Sequence, residues 1–423
     1  MSKDVLDERW FKSVNSRHVL NQFRIDSISA VPHKERTRFL ENEVENPAFR
    51  PPKTVVDKPF DPTAERAFWE QLLTDLTAED NILVRELYER KVTQQIDLIE
   101  MLRASLDRDN EHFSKQTELV YGKPKKKYFL YIAKRIQELT EAEPSLQFPD
   151  AWQRTKKLFS KIDVSRCDIS PDLLPAPVID TDLVTSAEQV EKMFTDKFKQ
   201  YGLENWSMVI DETGTRRIFS VNGTKRIVHV PNTKSLLNRK KKLTKTSLSA
   251  LAAHEIGVHA LRSHNGKEQP LQLLHLGLDN YLRGEEGLAS YKQQLIEGAD
   301  EYYGFDKYLA ASLAAGLDGT ARDFRSVFEI MQDYYLVILP QTEAVLNHAR
   351  ATAWNTCVRI FRGSDGQGAG CIYTKDINYL EGNIRVWEMM KSEPMSDEQL
   401  LLGKYDPTNQ EHRDLLSELE ILV

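Results

Sequence analysis

Cysteine is scarce in this sequence: three residues in 423, at Cys167, Cys357 and Cys371. An odd, widely spaced set builds no disulfide framework and no Cys–Cys zinc site. Long hydrophobic runs are missing too. Uncharged stretches such as Tyr308 to Leu317 are far too short to cross a bilayer. The segment Met1 to Glu8 is charged and has no apolar stretch of the signal-peptide kind. Positive charge is not in excess, since 57 Lys and Arg against 64 Asp and Glu leave a net charge of −7. That balance argues against a general nucleic-acid binder. What remains is ordinary globular composition, 40% hydrophobic and 29% charged. These absences lead us to expect a protein of the reducing cytoplasm with no membrane or nucleic-acid partner. They leave its oligomeric state open.

The expected fold class is α+β, predominantly helical, with a small antiparallel sheet in the middle. Residues 1–62 read as an extended N-terminal arm. Pro47, Pro51, Pro52, Pro59 and Pro62 exclude regular structure there, and the arm either packs across the protein or hangs loose. A helical subdomain is expected over 63–165. Its clearest helix carries Val84, Leu87, Tyr88, Val92, Ile96, Ile99, Leu102 and Leu106 at intervals of three and four. Pro171, Pro175 and Pro177 mark a linker. The expected catalytic domain, 180–423, opens with a helix over Ala187 to Tyr201 and a strand over Trp206 to Ile210. A β-hairpin follows, Arg217 to Val221 and Arg226 to Val230, on a tight Asn222-Gly223 turn. Two basic runs, Lys125–Lys127 and Arg239–Lys242, read as solvated helix flanks, or else as patches for an acidic partner.

Chemistry concentrates in Ala253-His254-Glu255-Ile256-Gly257-Val258-His259-Ala260-Leu261-Arg262. The pattern His-Glu-x-x-x-His is one residue longer than the metalloprotease His-Glu-x-x-His, in which two histidines on one helical face hold zinc and the Glu is the general base. Five residues turn a regular helix about 500°, which leaves the second histidine about 140° off that face. The spacing therefore predicts a one-residue π-bulge that restores the shared face, made inexpensive by the conformational freedom of Gly257. Zinc also needs a third protein ligand. Glu285 and Glu286, which open a helix downstream, are the candidates. They would otherwise serve only to complement a helix dipole. His229, His264, His275 and His348 carry no such pattern and read as structural.

Together, His254 to Arg262, Asn265-Gly266 and Glu285-Glu286-Gly287-Leu288-Ala289-Ser290-Tyr291 resemble the tyrosine/phenylalanine carboxypeptidase family. Its bacterial members are labelled flavohaemoglobin-expression-modulating proteins with a Gln-Glu-Gly-Leu-Ala motif. Its animal members are the microtubule-associated tyrosine carboxypeptidases, which remove the C-terminal tyrosine of α-tubulin. Thr374 to Gly382 resembles a further block of the family, and the likeness covers roughly 60–400. The resemblance implies a gluzincin-like metallopeptidase domain with the sheet preceding the metal-binding helix. It also implies one Zn²⁺ held by His254, His259 and Glu286, with Glu255 as general base. Glu285 departs from the bacterial pattern, which has Gln there, and adds a charge beside the metal.

The expected function is that of a zinc-dependent metallocarboxypeptidase acting on a peptide or protein C-terminus. Release of Tyr or Phe is implied by the resemblance alone. The alternatives are a zinc hydrolase of a non-peptide amide or ester, or a regulatory protein that retains a metal site. Tyr291 and Tyr379 are candidates to stabilise the oxyanion. A carboxypeptidase also needs a cation for the substrate carboxylate, and Arg359, Arg362 and Lys375 flank the glycine-rich loop 363–370, which would close over substrate. The strand Arg226 to Val230 would pair with extended substrate as an added strand. Animal members use long N-terminal extensions to bind microtubules, whereas only residues 1–62 precede the helical body here, so tubulin is not the expected substrate.

Overall fold

A computed structural model describes residues 5–17, 23–24, 33–49, 53–54, 61–141, 147–213, 219–223, 225–239 and 242–422. Arg217 and Ile218 of the expected hairpin, Lys240 and Lys241 of the second basic run, and much of the proline-rich stretch lie outside these residues. Helix predominates. None of the described helices is long and apolar enough to cross a membrane.

Helix boundaries follow local capping chemistry. Pro62–Asp75 starts with Pro62 at its first position, and the Asp61 carboxylate accepts the backbone N–H groups of Thr63 and Ala64. Ile82–Leu106 is capped in the same way by Asn81. Its apolar stripe is buried at Val84, Leu87, Tyr88, Val92, Ile99 and Leu102. Two apolar clusters result, and each draws on both sides of the 165–180 linker. One joins Pro62–Asp75, Ile82–Leu106 and Asn110–Tyr121 to residues 271–278 and 402–422. The other runs from Lys126–Leu139 and Pro149–Phe159 through the helices after residue 245.

The described part of the arm is not simply extended, because Glu8–Ser16 and His33–Leu40 are helices, and it packs across the protein. Phe39 is fully buried against Phe324, Phe328 and Trp354, with the Arg325 guanidinium 3.8 Å from its ring centroid. The glycine-rich loop is held as firmly. Ser105 Oγ donates to the Gly363 carbonyl, Asn110 Nδ2 donates to Asp365 at 2.6 Å, and Phe49 packs where a side chain on Gly366 would sit. These contacts tie residues 363–366 into the interior, while Gln367 and Ala369 are exposed.

Five short strands are described. Phe23–Arg24 (β1) and Lys53–Thr54 (β2) form an antiparallel pair. Ser207–Asp211 (β3), Ser220–Asn222 (β4) and Ile227–Pro231 (β5) form a second sheet in the order β3-β5-β4. The β4–β5 hairpin is antiparallel as expected, but β3 runs parallel to β5, so the sheet is mixed. β4 lies between them in sequence and runs the other way, so β5 returns in the direction of β3 and takes the place between β3 and β4. The turn is also wider than the expected Asn-Gly pair. Asn222 pairs with Ile227 inside the ladder, and Arg226 takes the positive φ of 54° that closes residues 223–226. β5 is the central strand, paired on both sides, so it offers no edge for an added substrate strand.

After the sheet comes a continuous helical rod. Lys245–His254 is α-helical, Glu255–Ala260 is π-helical and Leu261–Glu268 is α-helical again. A capping box between Thr244 and Ser247 starts it. Leu282–Glu297 lies against this rod and against Ile377–Ser392. Gly287 and Gly382 meet backbone to backbone where the last two helices cross, and a Cβ on Gly287 would lie 2.4 Å from the Gly382 carbonyl.

Candidate metal centre

The π-turn falls on the segment where the five-residue spacing demands it. The wider turn brings the two imidazoles together, with centroids 5.0 Å apart and planes at 72°. Gly257 contributes space as well as freedom. It is buried, and a Cβ there would lie 3.0 Å from the Tyr201 hydroxyl. Glu286, in the first turns of Leu282–Glu297, completes a cluster. One ligand atom from each of His254, His259 and Glu286 lies within 4.8 Å of the other two. That is close to what ligands sharing one ion with bonds of about 2 Å require. His254 Nδ1 is buried and has no hydrogen-bond partner, a state that protein interiors seldom leave unmet. Two histidines, one of them with this orphaned nitrogen, and a carboxylate are a donor set that fits a zinc ion.

Glu285 does a different job from its neighbour. Its Oε1 lies 2.9 Å from His259 Nδ1, and Arg262 Nη1 donates to its Oε2 at 2.5 Å. Arg262 is fully buried, and its Nη2 donates to the Tyr405 carbonyl at 2.6 Å. A carboxylate on Nδ1 accepts the proton of that nitrogen, fixes the ring orientation and turns Nε2 towards Glu286, 3.9 Å away. Glu285 is thus turned to the back of His259, and Glu286 faces the cluster.

Charge is arranged accordingly. Burial, and then the neighbouring His259, push the His254 imidazole down to about 3, so it is neutral at physiological pH. Burial would lower His259, but its hydrogen bond to Glu285 and the charges of Glu286, Glu285 and Glu255 outweigh that and raise it to about 9. Burial pushes the Glu255 carboxyl up to about 7, with Glu286 adding to the effect and His259 opposing it. Burial opposes ionisation of Glu285, yet Arg262 and His259 hold it down at about 2.

The other candidates divide. Tyr291 is buried against Trp387, centroids 4.6 Å apart, and the charge it feels is that of Asp397 and not of the cluster. Arg359 grips Asp376 with two hydrogen bonds of 2.6 and 2.8 Å. Arg362, buried beneath it, reaches the same carboxylate at 3.5 Å. Both arginines therefore meet their counter-charge inside the protein. Lys375 lies close enough for Glu286 to feel its charge. Tyr379 presents its ring to Lys307, whose ammonium is 4.6 Å from the centroid. Lys307, Arg262 and Asp376 were not singled out in the sequence. Arg262 has a retrospective signal, because it follows His259 by three positions and so falls on the same helical side.

The sequence matches the family model described as microtubule-associated tyrosine carboxypeptidase over residues 179–301 and 323–422, just over half of the chain. It is also 33% identical over 145 residues to the mouse protein named microtubule-associated tyrosine carboxypeptidase 1. That alignment spans 33% of this chain and 27% of the length of the mouse protein.

Proposed function

This chain belongs to the microtubule-associated tyrosine carboxypeptidase family, and we propose that it is a zinc-dependent carboxypeptidase releasing a C-terminal aromatic residue, Tyr or Phe, from a peptide or protein. The observation that carries the reading is the π-turn, which gathers His254, His259 and Glu286 while leaving Glu255 beside them.

In this reading His254, His259 and Glu286 hold the ion. Bound there, zinc would polarise the scissile carbonyl and lower the pKa of a water. Glu255, with a carboxyl near neutrality, takes the proton of the attacking water and delivers it to the departing amine. Glu285 and Arg262 hold the His259 ring in one orientation. A regulatory protein that merely retained a metal site would have no need of Glu255 in that position.

The test is to incubate purified protein with peptides ending in Tyr, Phe, Ala or Lys, with and without a chelator, and to follow the products by mass spectrometry. Chelator-sensitive loss of one aromatic residue is expected. Chelator-insensitive loss, or none across the panel, would contradict the reading.

A further inference from the structure

A carboxypeptidase must bind a terminal carboxylate near its metal, and the two arginines that flank the glycine-rich loop turn to Asp376. Lys404 is placed differently. It is half-buried, and among the described residues no hydrogen bond or ion pair holds its ammonium. Its recorded neighbour is the Tyr281 ring, whose centroid is 6.0 Å from Nζ. Ammonium groups withdrawn from water are paired or hydrogen-bonded as a rule, and one left with neither is open to an anionic ligand.

Contacts from both site helices place this side chain beside the metal cluster. A Cβ on Gly223, in the turn after β4, would lie 4.0 Å from Lys404 Nζ and would collide with Ser263 Oγ. Ser263 follows His259 by four residues on the helical rod, a rise of about 6 Å. Tyr281 precedes Glu286 by five residues, and its carbonyl accepts the Glu285 N–H at 3.0 Å. The ammonium therefore sits between the β4–β5 turn, the rod just past His259 and the start of the helix that carries Glu286. Glycine at 223 keeps a side chain out of this space. The stem of Lys404 is fixed as well. Its N–H donates to the Leu274 carbonyl at 2.8 Å, and its carbonyl accepts the Leu278 N–H at 3.0 Å. The next carbonyl, that of Tyr405, accepts Arg262 Nη2, and Arg262 leads through Glu285 to His259. The carboxylates of this neighbourhood are committed elsewhere, Glu285 to His259 and Arg262 and Glu286 to the cluster.

We propose that Lys404 is the substrate-binding cation: its ammonium receives the terminal α-carboxylate of the peptide whose last bond lies at the metal centre. An ammonium–carboxylate hydrogen bond is the charge-assisted kind, stronger than a neutral one. The proposal rests on the carboxypeptidase reading.

The experiment compares a peptide ending in free tyrosine with the same peptide ending in tyrosine amide, for wild type, Lys404→Met, Lys404→Arg and Lys307→Met at equal zinc content. Wild type should prefer the free acid. Lys404→Met should lose at least about tenfold of that preference in kcat/KM, chiefly through KM for the acid. Lys404→Arg should keep part of it, and Lys307→Met all of it. A merely structural lysine would change acid and amide alike. A second arm needs no turnover. Calorimetric titration of N-acetyl-phenylalanine and of its amide should show tighter binding of the acid in wild type and equal binding in Lys404→Met. If wild type cleaves neither peptide, the peptidase reading falls and this second arm still decides the role of Lys404. Full acid preference in Lys404→Met in either arm, equal binding of acid and amide by wild type, or an equal loss of preference in Lys307→Met overturns the proposal.

Discussion

Glu285 Oε1 lies 2.9 Å from His259 Nδ1, on the side of the imidazole that faces away from Glu286. The residue that departs from the bacterial motif therefore orients His259 and stands outside the cluster of His254, His259 and Glu286. Glu285→Ala should weaken zinc binding by about 10–100-fold. It should also strip the fully buried Arg262 of its charge partner, at a cost of about 3–5 kcal/mol. Glu285→Gln keeps an acceptor for Nδ1–H and should lose far less zinc affinity. Competition with a fluorescent chelator, alongside thermal denaturation, checks both. Equal zinc affinity in the Ala variant and wild type would contradict the assignment.

Glu255 stands beside the ligands with its carboxyl raised to about 7 by burial. Glu255→Gln preserves size and hydrogen-bonding reach but cannot accept a proton. Peptide turnover should fall by about 10²–10⁴-fold while zinc content stays at the wild-type level. Parallel kinetics and metal analysis on one preparation test this. Full turnover in the variant would remove Glu255 from the mechanism.

Much of this site could be read before any coordinates. Two histidines five apart cannot share a face of an α-helix, so their spacing alone called for the π-turn that Glu255–Ala260 makes. Glu285 and Glu286 were equally visible, but which of them faces the cluster depends on Arg262 reaching Glu285 from another helix. The partners of the candidate cations were hidden for a related reason. Arg359 and Arg362 both turn to Asp376 inside the protein, a pairing that no local spacing announces. In the fold, apolar periodicity and capping residues located the helices. The pairing of β3 with β5 was not legible, because β5 inserts between β3 and β4 and that spatial order is set by packing and not by any one strand.

The crossing of Leu282–Glu297 over Ile377–Ser392 depends on two glycines. A Cβ on Gly287 would lie 2.4 Å from the Gly382 carbonyl. Gly287→Ala should force the helices apart, destabilise the protein by about 1–3 kcal/mol and displace Glu286, lowering zinc affinity. Denaturant unfolding and zinc titration of the variant check this. A fully stable variant with unchanged affinity would mean the crossing has slack that the geometry does not show.

Lys91 is fully buried behind the site, with Nζ 3.5 Å from the Leu278 carbonyl. Burial pushes its ammonium down from 10.5 to about 7, against the charge of Asp279. Between these two values the unfolded chain holds a proton that the folded chain has released, so stability should rise with pH across roughly 7 to 10.5. Below that window the buried charge costs about 5 kcal/mol. Lys91→Met should be more stable than wild type at pH 6 and should lose this part of the pH slope. Melting temperatures of both proteins from pH 6 to 10 test it, and a variant less stable at pH 6 with the same slope would contradict it.

The most direct test of the metal centre is elemental analysis of the purified protein beside His254→Ala, His259→Ala and Glu286→Ala, after dialysis against limiting zinc. The account predicts one zinc per chain in the wild type and a clear loss in each variant, with secondary structure retained by circular dichroism. Equal zinc content in wild type and His254→Ala would contradict it, because the cluster gathered by the π-turn would then not be where the metal binds.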